Sequence, residues 1–313
     1  TMLCDELAID LGQWREQLKA SPVATDLAAF ANHVQAEHLP HALIIDCSAS
    51  SEVAEYYPRW LSAGIHVLTP NKQAGGGPLT RFRAVQAAAR AGRARWRYEA
   101  TVGAGLPVIG TLRDLIDTGD RIERIEGIFS GTLAYLFNRF DGQVAFSDLV
   151  RQAKQAGYTE PDPRDDLSGL DVARKLVILG REMGLELSLD QVQVESLVPE
   201  SLKDADIDGF LSGLQGFDEP MRERFEQARA RGEVLRYCAV LDHAGNAEVT
   251  LKSLPAEHPF AHIALTDNIV CFTTARYANN PLIVRGPGAG PEVTAAGVFA
   301  DLLRVAASLG AHL

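Results

Sequence analysis

The chain has 313 residues, 46% of them hydrophobic, with four cysteines and a formal net charge of −11. The length is comfortable for two domains, and the acidic balance argues against a nucleic-acid or anionic-membrane partner, which needs a basic face. Cys4, Cys47, Cys238 and Cys271 show no CxxC or metal spacing, and no stretch suits a signal peptide or membrane span. A reduced cytoplasmic protein fits best.

The first hundred residues alternate helix and strand. Residues 10–19 and 26–35 read as amphipathic helices, and HALIID at 41–46 as a short buried parallel strand. A helix over 53–63, a strand over 66–68, a helix over 80–91 and a strand over 96–102 follow. Strands separated by helices of this length imply βαβ units and an open, mostly parallel sheet. Ligands of such sheets sit at the carboxyl ends of the strands, here Asp46-Cys47-Ser48 and Thr69-Pro70-Asn71-Lys72. No strand–GxGxxG–helix unit precedes His41. The glycines at 75–77 read as a short loop. GAGLPVIG at 103–110 mimics a nucleotide loop in pattern, although a lone match is weak and a tight structural turn explains it better.

Beyond residue 105 the pattern changes to a mixed α+β layer. A helix over 107–117, a strand over 121–130, and helices over 134–139 and 147–155 lead to the most chemically committed stretch, GYTEPDPRDDLSGLDVARK at 157–175. Pro161 and Pro163 predict an extended path, and Ser168 a helix N-cap with Asp171 closing a capping-box-like turn. The helix that follows is rich in Leu, Val and Ile and stops at Gly184. Asp171 and Lys175 stand one helical turn apart. A surface ion pair worth a few tenths of a kcal/mol is the plain explanation. Ile178 and Leu179 continue the same face, however, and charges at a partly buried helix start point to a site. A strand over 192–198, helices over 207–214 and 219–231, strands over 234–241, 247–251 and 269–274, and an apolar helix over 294–310 complete the chain. The last helix is free to return to the first domain.

DPRDDLSGLDVARK, TPNK at 69–72, YEATVGAGLPVI at 98–109, FSGTL at 129–133 and GAGPEVTAAGVFADLL at 288–303 together resemble the homoserine dehydrogenases. The likeness is strongest to the dehydrogenase half of bifunctional aspartokinase–homoserine dehydrogenases. It implies an α/β fold with a truncated Rossmann-like parallel-sheet domain (1–97 and 291–313), a mixed α+β catalytic domain (98–237) and dimerisation strands (238–290). It also implies a homodimer, an aspartokinase domain fused upstream, and NAD(P)-dependent interconversion of L-homoserine and L-aspartate 4-semialdehyde, a step toward threonine, methionine and isoleucine.

By the same resemblance Lys175 is the acid/base lysine, Lys72 acts where nicotinamide and substrate meet, Asp171 orients the reacting end of the substrate, and Glu160 receives its α-ammonium. An amine with lysine's ordinary pKa of ~10.4 suits the reducing direction. Asp166 joins the acidic rim, while Asp162, Arg164 and Asp165 read as loop scaffolding. Ser48, Gly157 and Gly290 match cofactor contacts, for NADP or NAD. Glu99, Val102, Ala104 and Leu106 match a monovalent-cation site, Na⁺ or K⁺, in which three of the four ligands are main-chain carbonyls. The eight histidines show no HxH or HExxH spacing and carry no assignment. Relative to the family the chain begins after the first strand and its glycine-rich turn. Losing that turn removes charge-assisted hydrogen bonds worth roughly 1.5–3 kcal/mol each and implies weak cofactor affinity. Two other readings follow: a cofactor-deficient substrate-binding or dimerisation module, or another NAD(P)-dependent amino-acid dehydrogenase.

Overall fold

The structure, a computed structural model, describes residues 1–36 and 38–311. Two helices, α1 (Trp14–Ala20) and α2 (Leu27–Val34), precede a three-stranded parallel sheet in the order β1 (Leu43–Ile45), β2 (His66–Leu68), β3 (Trp96–Arg97). The crossovers carry α3 (Ser51–Glu55) and α4 (Tyr57–Ser62), then α5 (Lys72–Gly76) and α6 (Leu79–Ala91). Helix over 53–63 was expected as one piece; it is two, because the chain turns at Tyr56, the C-cap of one helix and the N-cap of the next. β3 ends at Arg97 rather than 102, since residues Glu99–Thr101 turn into a 3₁₀ helix and place Glu99 beneath the following helix. This unit is Rossmann-like.

The second layer starts with α7 (Val108–Asp117) and β4 (Ile122–Ile128), followed by α8 (Gly131–Arg139) and α9 (Phe146–Gln155). Then come α10 (Pro163–Leu167), α11 (Leu170–Glu182), β5 (Gln193–Val194), α12 (Ile207–Gly213) and α13 (Asp218–Ala230). Strands β6 (Glu233–Asp242), β7 (Ala247–Pro255), β8 (Asp267–Thr274) and β9 (Leu282–Pro287) build a six-stranded sheet in the order β5-β7-β6-β4-β8-β9. All its pairings are antiparallel except β5 with β7. The sequence boundary at 237/238 falls inside β6, which pairs with β4 on one side and β7 on the other. The segment 238–290 is therefore continuous with the catalytic sheet. Only two of the residues 192–198 are strand; the rest of that segment is coil, with the Leu197 amide on the Leu167 carbonyl at 2.9 Å.

α11 is the keel of the molecule. From Val172 to Arg181 nearly every residue is buried, and the helix packs on α5 and α7 on one side and on β6 and β7 on the other. Each fully buried Leu, Ile or Val contributes roughly 1.5–3 kcal/mol, so Leu176, Val177, Ile178 and Leu179 anchor it strongly. The glycines at 75–77 explain how α5 comes so close: a Cβ on Gly76 would stand 2.3 Å from Arg174 Cγ. Gly75 and Gly76 are helical and buried, not a loop, and the Gly75 carbonyl accepts from buried Arg181 at 2.7 Å. Finally α14 (Pro291–Ser308) returns to the parallel sheet, where Asp301 Oδ2 accepts the Glu99 amide at 2.8 Å.

Candidate active site

Three segments deliver the charged groups. Asn71 caps α5, its Oδ1 accepting from the Gln73 amide at 2.9 Å, so Lys72 is the first residue of that helix. α11 is started by Gly169 in the left-handed region (φ 72°) rather than by Ser168. A side chain at Gly169 would collide with Tyr237, its Cβ 2.1 Å from the hydroxyl oxygen. Ser168 ends α10 and Pro163 opens that short helix, so the path is extended as far as Asp162 and helical from Pro163 to Leu167. No capping box forms at Asp171, because its carboxylate is occupied elsewhere.

That carboxylate joins the two domains. Lys175 Nζ lies 2.8 Å from Asp171 Oδ2 and Lys72 Nζ lies 3.3 Å from Asp171 Oδ1. Lys175 also donates to the Phe129 carbonyl at 2.7 Å, at the end of β4. An ammonium has three protons; two have partners here, which leaves one for a ligand in the cavity that Lys175 lines. Burial alone would raise the Asp171 carboxyl, but Lys175 and Lys72 outweigh it and hold the group well below the usual carboxylate range.

The acidic rim closes the same cleft. A 490 Å³ cavity is lined by Ser48, Asn71, Lys72, Glu160, Asp166 and Asp171 among others. A second, of 470 Å³, shares Lys72, Glu160, Asp166 and Asp171 with it and adds Lys175, Gly157 and Gly290. Asp166 Oδ2 accepts the Glu160 amide at 2.8 Å, which fixes the loop while leaving the Glu160 carboxylate exposed. Burial pushes the Asp166 carboxyl up, with Glu160 and Asp171 adding to the rise and the Glu160 amide opposing it. Asp162 and Arg164 pair at 2.6 Å, and Arg164 donates to the carbonyls of Lys203 and Ala205, which is scaffolding; Asp165 lines the first cavity.

The residues expected to meet a cofactor spread along this cleft. Gly290 (φ 123°) lines both the second cavity and an 870 Å³ apolar groove walled by Ile45, Cys47, Pro70 and Phe299. An apolar groove that runs past Pro70 toward Ser48 and Lys72 fits a flat heteroaromatic ring with a polar tail. Gly157 has a sufficient local reason for its identity: it ends α9 at φ 75°, with its amide on the Lys154 carbonyl at 3.1 Å. Among the described residues no histidine lines either cavity; His312 lies outside them.

Glu99 is buried, and its carboxylate accepts the amides of Ile109 (2.7 Å) and Gly110 (2.8 Å) and pairs with Arg304 at 3.2 Å. Its burial raises the carboxyl, while the two amides pull it down. GAGLPVIG is thereby a structural turn whose helix amides are already capped, not a phosphate loop. Three donors leave one lone-pair direction on this carboxylate. Val102, Ala104 and Leu106 lie on the adjoining turn, where Gly103 and Ala104 both have positive φ and the Leu106 carbonyl accepts the Val108 amide at 2.8 Å; the four groups expected to ligate a cation are all hard oxygen donors.

Sequence reasoning missed two participants. The Phe129 carbonyl is a main-chain acceptor and leaves no mark in side-chain chemistry; only FSGTL hinted at it. Asn268, fully buried, has its Nδ2 3.4 Å from that same carbonyl.

With this geometry in hand, known proteins give a consistent answer. Residues 107–303 match the family model described as homoserine dehydrogenase, and residues 3–99 that described as homoserine dehydrogenase, NAD binding domain. A maize bifunctional aspartokinase/homoserine dehydrogenase 1, chloroplastic, is 52% identical over 99% of this chain, which spans 34% of that protein. A homoserine dehydrogenase of Schizosaccharomyces pombe is 44% identical over 96% of this chain and 82% of its own length. A crystal structure of a Candida auris protein of unknown function superposes with a TM-score of 0.90 at 40% identity, covering 96% of this chain and 85% of that one. The chain thus spans about a third of the bifunctional relatives, and by family model, identity and coverage it belongs to the homoserine dehydrogenase family.

Proposed function

We propose that this chain catalyses NAD(P)-dependent interconversion of L-homoserine and L-aspartate 4-semialdehyde. The observation that carries the reading is the meeting of Lys72 and Lys175, from different domains, on one carboxylate inside a cleft rimmed by Glu160 and Asp166. A bound nicotinamide supplies or receives the hydride. Everything else is done by the chain. Glu160, on the rim, takes the substrate α-ammonium, and Asp166 holds the Glu160 loop in place. Lys175 gives its third proton to the carbonyl oxygen during reduction and accepts it back during oxidation. Asp171 orients both ammonium groups and, with Lys72, the reacting end of the substrate.

Ser48, Lys72, Gly157 and Gly290 are the cofactor-facing residues in this reading, with NADP or NAD as the carrier. Glu99, Val102, Ala104 and Leu106 hold Na⁺ or K⁺, pinning the turn between the domains rather than taking part in proton transfer. The parallel sheet with residues 291–311 acts as the nucleotide-binding unit, residues 98–237 as the catalytic unit, and strands in 238–290 as the homodimer contact. A fused aspartokinase domain upstream accords with the relatives' names. The four free thiols suit a cytoplasmic setting. No described helix is long and apolar enough to cross a membrane.

The deciding experiment is reduction of L-aspartate 4-semialdehyde by the purified chain, followed by loss of the reduced-nicotinamide absorbance. Turnover that requires the semialdehyde, with other amino- and keto-acid carbonyls inert, is expected. No turnover despite measurable NADPH binding would refute the assignment, and turnover of a different carbonyl substrate would replace it.

A further inference from the structure

Beneath the cofactor side of the cleft lies a closed polar knot that the proposed chemistry does not use. Asp46, Tyr57, Thr69 and Asn71 are all at most 6% exposed. Asp46 Oδ2 accepts from the Tyr57 hydroxyl at 2.5 Å and from Asn71 Nδ2 at 2.9 Å, while Oδ1 accepts the Ser48 amide at 2.8 Å. All three donors are neutral. Asn71 Nδ2 gives its second proton to the Ser50 carbonyl at 2.9 Å, and Thr69 Oγ1 accepts the Asn71 amide at 2.8 Å.

We infer that Asp46 is a positioning residue for the cofactor side of the cleft: through Asn71 it sets the start of α5 and so Lys72, and through the Ser48 amide it sets the loop after β1. The inference rests on reading Lys72 and Ser48 as cofactor-facing. Two strand ends and two helix starts converge on this one carboxylate, and each acceptor direction used is matched by a donor. Only an acceptor-only side chain meets that demand. An asparagine at 46 would turn an NH₂ toward either the Ser48 amide or Asn71 Nδ2, setting donor against donor, whereas the Tyr57 hydroxyl, 3.1 Å from Thr69 Oγ1, is able to turn and accept. A buried carboxylate kept without a cation is costly unless hydrogen-bonded, and here three neutral donors serve it. A core chosen for stability alone could be filled by apolar side chains; the arrangement makes sense if the positions of residues 48 and 72 matter.

The test compares Asp46→Asn with Tyr57→Phe in the intact chain, by hydrogen–deuterium exchange, melting temperature and steady-state kinetics. Tyr57→Phe removes one donor from the same carboxylate but leaves Asn71 and Ser48 attached. Asp46→Asn is expected to speed exchange at the Ser48 and Gln73 amides about tenfold, the worth of one charge-assisted hydrogen bond. It should leave α11 exchange unchanged, raise KM for NADPH about tenfold, and keep KM for the semialdehyde within about twofold. Tyr57→Phe should lower the melting temperature without either effect. Unchanged exchange at residues 48 and 73 in Asp46→Asn, or equal kinetic losses in both variants, overturns the inference. Should Asp46→Asn not fold, Asn71→Ser keeps a capping oxygen for α5 and drops both amide donors; it must then speed exchange at Gln73 and raise KM for NADPH, or the inference fails. Absence of turnover in the wild type would remove the dehydrogenase reading, while the exchange measurements still decide the role of Asp46.

Discussion

Lys72 and Lys175 bind opposite oxygens of a single carboxylate, at 3.3 Å and 2.8 Å from Asp171, although one begins a helix of the parallel-sheet unit and the other lies in the helix that backs the antiparallel sheet. The pair of lysines is held together by the acid between them, and that acid is therefore the hinge of the proposed chemistry.

Replacing Lys175 tests the proton-transfer role directly. Lys175→Ala should lower kcat about 10²–10⁴-fold, the range for losing a general acid. Asp171 keeps Lys72 as a partner, but the buried Phe129 carbonyl loses a donor, so about 1–3 kcal/mol of stability should be lost as well and kcat is read below the variant's melting range. Full activity in both Lys175→Ala and Lys175→Arg would exclude the lysine from proton transfer.

Asp171 should reveal itself in the pH dependence of stability. Its carboxyl titrates below the ordinary 3.8 in the folded chain, so its contribution is present above that value and lost as pH falls through the depressed one. Melting temperatures of wild type and Asp171→Asn should differ at neutral pH and converge as pH is lowered past ~4. A difference that stays constant down to acid unfolding would contradict the assignment.

Glu160→Gln should act on binding rather than chemistry. Losing a hydrogen bond between charged groups is worth roughly 1.5–3 kcal/mol, or about 10–100-fold in KM for homoserine, with kcat nearly retained. A selective loss of kcat would instead place Glu160 in the reaction.

Gly76→Ala probes the contact that brings the lysines together. The added methyl would lie 2.3 Å from Arg174 Cγ and 3.1 Å from the Arg174 carbonyl. Urea unfolding should show about 1–3 kcal/mol of destabilisation, with activity reduced in proportion to the displacement of Lys72. Unchanged stability would mean that α11 yields easily.

The cation proposal needs no variant. Melting curves in NaCl or KCl at fixed ionic strength should lie above those in tetramethylammonium chloride, because a site of one carboxylate and three carbonyls cannot admit a large cation. Coincident curves would discard the ion at Glu99.

Hydrophobic periodicity alone was enough to place β2 over 66–68, α6 and α9 to within a residue at each end, and Asp171 and Lys175 on one helical face. Those features depend on near neighbours along the chain. Local pattern misread others: Gly75 and Gly76 looked like a loop because glycine disfavours helix, yet contact with Arg174 and Ile178 leaves no room for a side chain. Ser168 looked like a cap until Tyr237 demanded a glycine at 169. β9 went unpredicted because an edge strand needs only one partner, β8, to be recruited. The Phe129 carbonyl, the capping of α7 by Glu99 and the knot under Asp46 join groups 10 to 46 residues apart. Charge type and helical spacing are written in the letters. Which groups share a carboxylate is decided only when burial forces every polar atom to find a partner, and that partner is chosen by the packing of distant segments.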